Sequence, residues 1–165
     1  MAESAHDQQL GQFVVLFQEL ESSLIDIISV IDDKDSAVEI LPAEIEYPQL
    51  VKSTDVIFSN FVGLLRQPAL DATTRFHKLM GKCLDIGVLR NKLSHSAYAL
   101  LESASDIAAL AQERAKLKFK GDSRRQVIGE DLSVESFEPD CRQIAEVLTE
   151  LESFRLQLIE WKQTC

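Results

Sequence analysis

An arginine and a histidine five residues apart in one helical run could act on a phosphodiester. This chain has such a pair in Leu89-Arg90-Asn91-Lys92-Leu93-Ser94-His95-Ser96-Ala97-Tyr98. A guanidinium stays charged and grips two phosphate oxygens at once. An imidazole titrates near neutrality and can take or give a proton. RNA supplies its own nucleophile, the 2′-OH, so the pair needs no metal. At about 100° per residue, Asn91 and His95 share one helix face and Arg90 shares another with Ser94. Arg90 and His95 lie about 140° apart, an angle that the long arginine side chain covers in part or that a partner chain bridges. The plainer reading stays open: Arg90 in a salt bridge and His95 in an ordinary polar contact.

Other chemistries lack their residues. There is no G-x-x-x-x-G-K-[ST] and no G-x-G-x-x-G, so no phosphate-cradling loop of either kind is expected. H-E-x-x-H, C-x-x-C and G-x-S-x-G are also missing. The histidines, His6, His77 and His95, are too far apart to be sequence-close metal ligands. A Cys-His nucleophile would have to use Cys83, which falls on an apolar stripe. Cys83, Cys141 and Cys165 read as reduced thiols. No metal or cofactor is expected.

The elements that must position the pair are helical. Phe13, Phe17, Leu20, Leu24, Ile27 and Ile31 recur at steps of three and four, which predicts a helix from about His6 to Ile31. Pro42 and Pro48 then bracket a linker. A second helix is predicted from about Gln49 to Arg66, with Val56, Phe58, Phe61, Val62 and Leu65 on its apolar face and Gln67-Pro68 breaking it. The third, from about Leu70 to Leu101, carries a core stripe through Ala72, Phe76, Leu79, Cys83, Ile86, Leu89/Leu93, Ala97 and Leu100. A second stripe runs Met80, Leu84, Val88 and then Asn91, His95, Tyr98, turning from apolar to polar. A helix apolar on two sides is either central in a bundle or shared with another chain. Here the second stripe is read as the face of a homodimer, with the solvent edge of the helix as the alternative for its polar end. Lys116 to Ile128 reads as a short basic hairpin or an ordered loop. Ser136 is the expected N-cap of a last helix running to about Lys162, with Pro139 in its first turn. Its stripe is Cys141, Ile144, Leu148, Leu151 and Leu158, with Val147, Phe154 and Trp161 beside it. The expectation is a single all-α domain over residues 1–165, an up-and-down bundle of four to five helices with a short basic hairpin or loop before the last.

The chain has 165 residues, of which 45% are hydrophobic and 27% charged, and this excludes wholesale disorder. No apolar run is long enough to span a membrane, and the first residues do not read as a signal peptide, so the expected location is cytoplasmic. The net charge of −10 is unevenly spread. Residues 75–125 hold eleven Lys and Arg against five acids, while the remainder holds six against 22. A basic segment inside an acidic shell attracts a phosphate chain locally or is simply a solvated loop.

Arg90-Asn91-x-x-x-His95 resembles the R-x4-6-H signature of the HEPN superfamily, including the polar residue that follows the arginine. Leu10-Gly11-Gln12-Phe13 with Glu19-Leu20-Glu21 is similar to the opening helix of many of its members, and the motif stands late in the third long helix, as it does there. The resemblance implies a helical bundle that dimerises through the face bearing the motif. Many such domains are metal-independent endoribonucleases of toxin–antitoxin, phage-defence and RNA-processing systems. Others are non-catalytic binding or scaffold modules. It implies Arg90 and His95 as the catalytic pair, with Asn91 and Tyr98 supporting. Some members carry a tyrosine two residues after the histidine; here that position is Ala97, and Tyr98 is three after. Lys92 and residues 114–125 would guide an RNA backbone. The expected partners are RNA, a second copy of the chain and, for a toxin, an antitoxin protein.

Overall fold

The computed structural model describes residues 2–32, 45–65, 69–113 and 137–164, with side chains at all of these except 2–7, 70 and 95–113. Four helices make up the described residues: α1 Ala2–Ile31, α2 Tyr47–Gly63, α3 Leu70–Glu113 and α4 Phe137–Thr164. No strand occurs among them. The expected basic hairpin, the Gln67-Pro68 break and the Ser136 cap lie outside the described residues.

The chain is an all-α helical bundle. Each helix packs on two neighbours: α1 on α2 and α4, and α3 on the same two. The anticipated stripes face inward. Phe13, Phe17, Leu20, Leu24 and Ile27 of α1 are buried, as are Ala72, Phe76, Leu79, Cys83 and Ile86 of α3 and Cys141, Ile144, Leu151 and Leu158 of α4. At 25 cal/mol per Å² of apolar area, each buried Leu, Ile or Phe among them contributes about 1.5–3 kcal/mol.

Residue pairs fix the helix directions. Lys162 Nζ donates to the Val30 carbonyl at 2.6 Å, which joins the C-terminal ends of α4 and α1. Tyr47, at the start of α2, meets Phe17 halfway along α1, with ring centroids 4.7 Å apart. Phe58, late in α2, meets Phe154 and Trp161 towards the end of α4. So α1, α2 and α4 point the same way. α3 opposes them, because Tyr47 reaches Cys83 while Asp55 reaches His77. Within the expected bundle, then, α1 and α2 do not alternate. The connection permits this: the fifteen residues between Ile31 and Tyr47 reach up to about 50 Å. They need to retrace only about 21 Å of α1.

Three expectations change. Pro48 does not bound a linker. It sits in the first turn of α2, where its missing N–H costs no hydrogen bond. The buried line of α2 is Tyr47, Leu50, Val51, Thr54, Phe58 and Val62, and Val56, expected inward, is 58% exposed. Finally, α3 continues to Glu113, well past Leu101.

Candidate functional site

The second stripe of α3 divides where α2 ends. His77 on α3 bonds Asp55 of α2, and Gly87 lies against Tyr47, so these contacts bracket the α2-facing side of α3. Met80 and Leu84 fall between them on that side. Met80 is 2% exposed and belongs to the core, and Leu84 is half-buried against it. These two residues are consumed within the chain. They are not the dimer face anticipated for them, and only Val88, 55% exposed, is left open. α2 begins at the level of Cys83 and Gly87. From there on, α3 has no α2 to bury against. The stripe turns polar at Asn91, the first of its positions beyond that level, and Asn91 is exposed.

Arg90 stands on a different side of the helix. Phe76, Cys83 and Arg90 are spaced by seven, so they lie on nearly one line. Arg90 therefore projects from the core-facing side of α3, just past the level at which α2 begins and halfway along α1. Its guanidinium carbon lies over the Phe17 ring of α1, 5.0 Å from the centroid. Arg90 is exposed overall, and among the described residues it forms no ion pair.

The surface beneath it is built in layers. Phe17 is buried, stacked with Phe13 and tilted against Tyr47. Tyr47 is also buried and donates its hydroxyl to the Cys83 carbonyl at 2.8 Å. A Cβ on Gly87 would stand 2.7 Å from Tyr47 Cε1, so the ring fits only because this residue has no side chain. Burial, helped by Cys83 and Glu21 and opposed by Arg90, raises the Tyr47 hydroxyl well above its ordinary pKa and keeps it a donor. Burial also pushes the Cys83 thiol up to about 12, mainly against ionisation in an apolar setting. A thiol so protonated is no nucleophile, in line with its place on the core stripe.

The motif residues sort as follows. Arg90 to His95 belong to one unbroken helix, so the offset of about 140° persists, with about 7.5 Å of rise. Asn91 and Lys92 are exposed, and Lys92 lies on the far side from Arg90. The side chains of His95 and Tyr98 lie outside the described residues, as does the basic segment 114–125. Phe17, Tyr47 and Gly87 were not anticipated at the site. Two signals for them were present: a Tyr-Pro pair opening a helix, and a glycine inside an apolar helical stripe.

Elsewhere, His77 Nδ1 lies 2.6 Å from Asp55 Oδ2, with the imidazole exposed. A shallow recess of about 480 Å³ between α1 and α4 is lined by Val15, Gln18, Glu19, Ser22, Ser23 and Leu148 and contains no motif residue. Among the described residues, no three His, Cys, Asp or Glu gather as a metal site, and no helix is long and apolar enough to cross a membrane. No family model, curated protein or solved structure matches this chain.

Proposed function

We propose that the chain is a metal-independent endoribonuclease of HEPN type, a toxin or phage-defence effector acting in the cytoplasm as a homodimer. One observation carries the reading: Arg90, five residues before His95 on a continuous helix, presents a guanidinium with no carboxylate partner among the described residues. Acids are plentiful in a chain of net charge −10, and none among the described residues pairs with it.

In this mechanism one His95 takes the proton of the 2′-OH, which attacks the adjacent phosphorus. The 5′-oxygen leaves, protonated by the second His95 or by water. Arg90 stabilises the charge that develops on the phosphorane oxygens. The products carry 2′,3′-cyclic phosphate and 5′-hydroxyl ends. The angle of about 140° between Arg90 and His95 favours a site shared by two chains about a two-fold axis. The sector of α3 from Val88 through Asn91, uncovered by α2, is the surface on which they would meet. Lys92 and the basic segment steer the RNA backbone, and an antitoxin protein would cover the same surface.

The alternative is a non-catalytic binding or scaffold protein. The seat of Arg90 on Phe17 favours it, since such a contact also suits an arginine that merely packs. Purified protein incubated with total RNA in EDTA separates the two. The ribonuclease reading expects cleavage, a solution mass of twice 18.5 kDa and a loss on the order of 10²–10⁴ in rate for His95→Ala. Intact RNA, or cleavage that requires added magnesium, contradicts it.

A further inference from the structure

We infer that Phe17, backed by Tyr47, is a positioning residue that seats the Arg90 guanidinium over its ring and leaves N–H donors for an RNA phosphate; this rests on the ribonuclease reading above. A guanidinium has two kinds of surface. Its face stacks on aromatic rings, while its five N–H donors lie in the plane and remain free for a bidentate grip. At 5.0 Å from the centroid, the Arg90 guanidinium carbon lies over the Phe17 ring. With no ion pair among the described residues, its edge is free for an anion.

The ring beneath it is itself held. Phe17 is buried between Phe13 and Tyr47, and Tyr47 is locked by its bond to the Cys83 carbonyl and by its close fit on Gly87. Cys83 and Gly87 lie on α3, within two turns of Arg90. The chain of contacts therefore leaves α3 at Cys83, passes through α2 and α1, and returns to α3 at Arg90. This loop seats the arginine relative to its own helix, which a flexible exposed side chain could not achieve alone. Arg75 offers a contrast. It also lies over a buried ring, Phe154 at 5.6 Å, but Arg75 is remote from the motif.

The test combines a spectroscopic and a kinetic readout. In isotope-labelled protein, the Arg90 side-chain signals are assigned by their absence in Arg90→Lys. They should be shifted upfield by the Phe17 ring current. Phe17→Leu should return them to the values of a free arginine, while Phe17→Trp should retain the shift. In cleavage of a defined RNA, Phe17→Leu should lower kcat about three- to tenfold, the worth of a partly exposed cation–π contact, with KM little changed. Phe17→Trp should restore it. If Phe17→Leu does not fold, pentafluorophenylalanine at 17 keeps the shape, inverts the ring quadrupole and should lower kcat in the same way. Unshifted Arg90 signals in the wild type, or full kcat in both the leucine and the fluorinated variant, would overturn the inference. A wild type that cuts no RNA overturns the ribonuclease reading instead, and the ring-current shift then decides the platform alone.

Discussion

The two ends of the α2–α3 contact are each organised around aromatic rings, and they differ in what α2 covers. At one end Phe58 and Phe76 stack with centroids 3.8 Å apart, Phe154 meets both edge-on, and Trp161 approaches Phe58. At the other end Phe13, Phe17 and Tyr47 pack together; each cluster carries an arginine, Arg75 over Phe154 and Arg90 over Phe17, but only Arg90 belongs to the motif. The same side of α3 serves both ends, with Phe76 buried at one and Arg90 exposed at the other. α2 explains the difference. It spans Tyr47–Gly63 and covers α3 only up to about Gly87. Where α2 stands, Met80 and Leu84 of α3 are taken up by the core; beyond it Asn91 and Arg90 are exposed while Leu89 and Leu93 still pack inward. Because α2 starts partway along α3, the contact has a sealed end that holds the fold and an end beside Arg90 that α2 leaves open.

The largest effect should come from the sealed end. Phe76→Ala removes a fully buried ring from two aromatic contacts and should cost about 3–5 kcal/mol, read as a drop in the urea midpoint. At the open end, Gly87→Ala should cost about 1–3 kcal/mol, because the new methyl would strike Tyr47. Gly81 is the control on the same helix. Nothing lies within 4 Å of a Cβ there, so Gly81→Ala should stabilise by about 0.5–1 kcal/mol. If both glycines respond alike, the close fit of Tyr47 is not what holds the open end.

Much of this was legible in the sequence. The stripes of α1, of the first half of α3 and of α4 follow from spacing alone, because a core helix must repeat apolar residues at 3.6. The ring beneath Arg90 was not legible. The seven-residue spacing from Phe76 and Cys83 puts position 90 near the core-facing side, but which ring of α1 it meets depends on how the helices pack, which spacing does not show. Met80 and Leu84 read as a surface for another chain because periodicity shows that a face is apolar without showing which helix covers it. Val56 failed for the reverse reason. Its hydrophobicity is real, but the register of α2 is set by Leu50, Thr54 and Phe58. Tyr47 was lost to a proline taken as a break, although in a first turn proline does no harm.

A separate effect, in pH, belongs to the Tyr47–Cys83 layer. The Cys83 thiol is held up to about 12 from an ordinary 9.0, and the Tyr47 hydroxyl is raised from 10.0. Both stay protonated in the fold at pH values where the unfolded chain ionises them. Their contribution is fully present below about pH 9 and is lost as pH rises towards 12, by at most about 1.4 kcal/mol per pH unit for each group. Cys83→Ala should flatten that slope in urea titrations between pH 9 and 12, even though it lowers stability overall. An unchanged slope would mean that the thiol is not shielded as the packing requires.

The central claim is that Arg90 and His95 direct attack by a 2′-OH without a metal. The most direct measurement uses one defined RNA, cleaved in EDTA, and a copy with a single 2′-deoxy nucleotide immediately 5′ of the cut. The account predicts 2′,3′-cyclic phosphate and 5′-hydroxyl ends from the first and no cut at that position in the second. Cleavage of the deoxy copy at an undiminished rate, leaving 5′-phosphate ends, would contradict it.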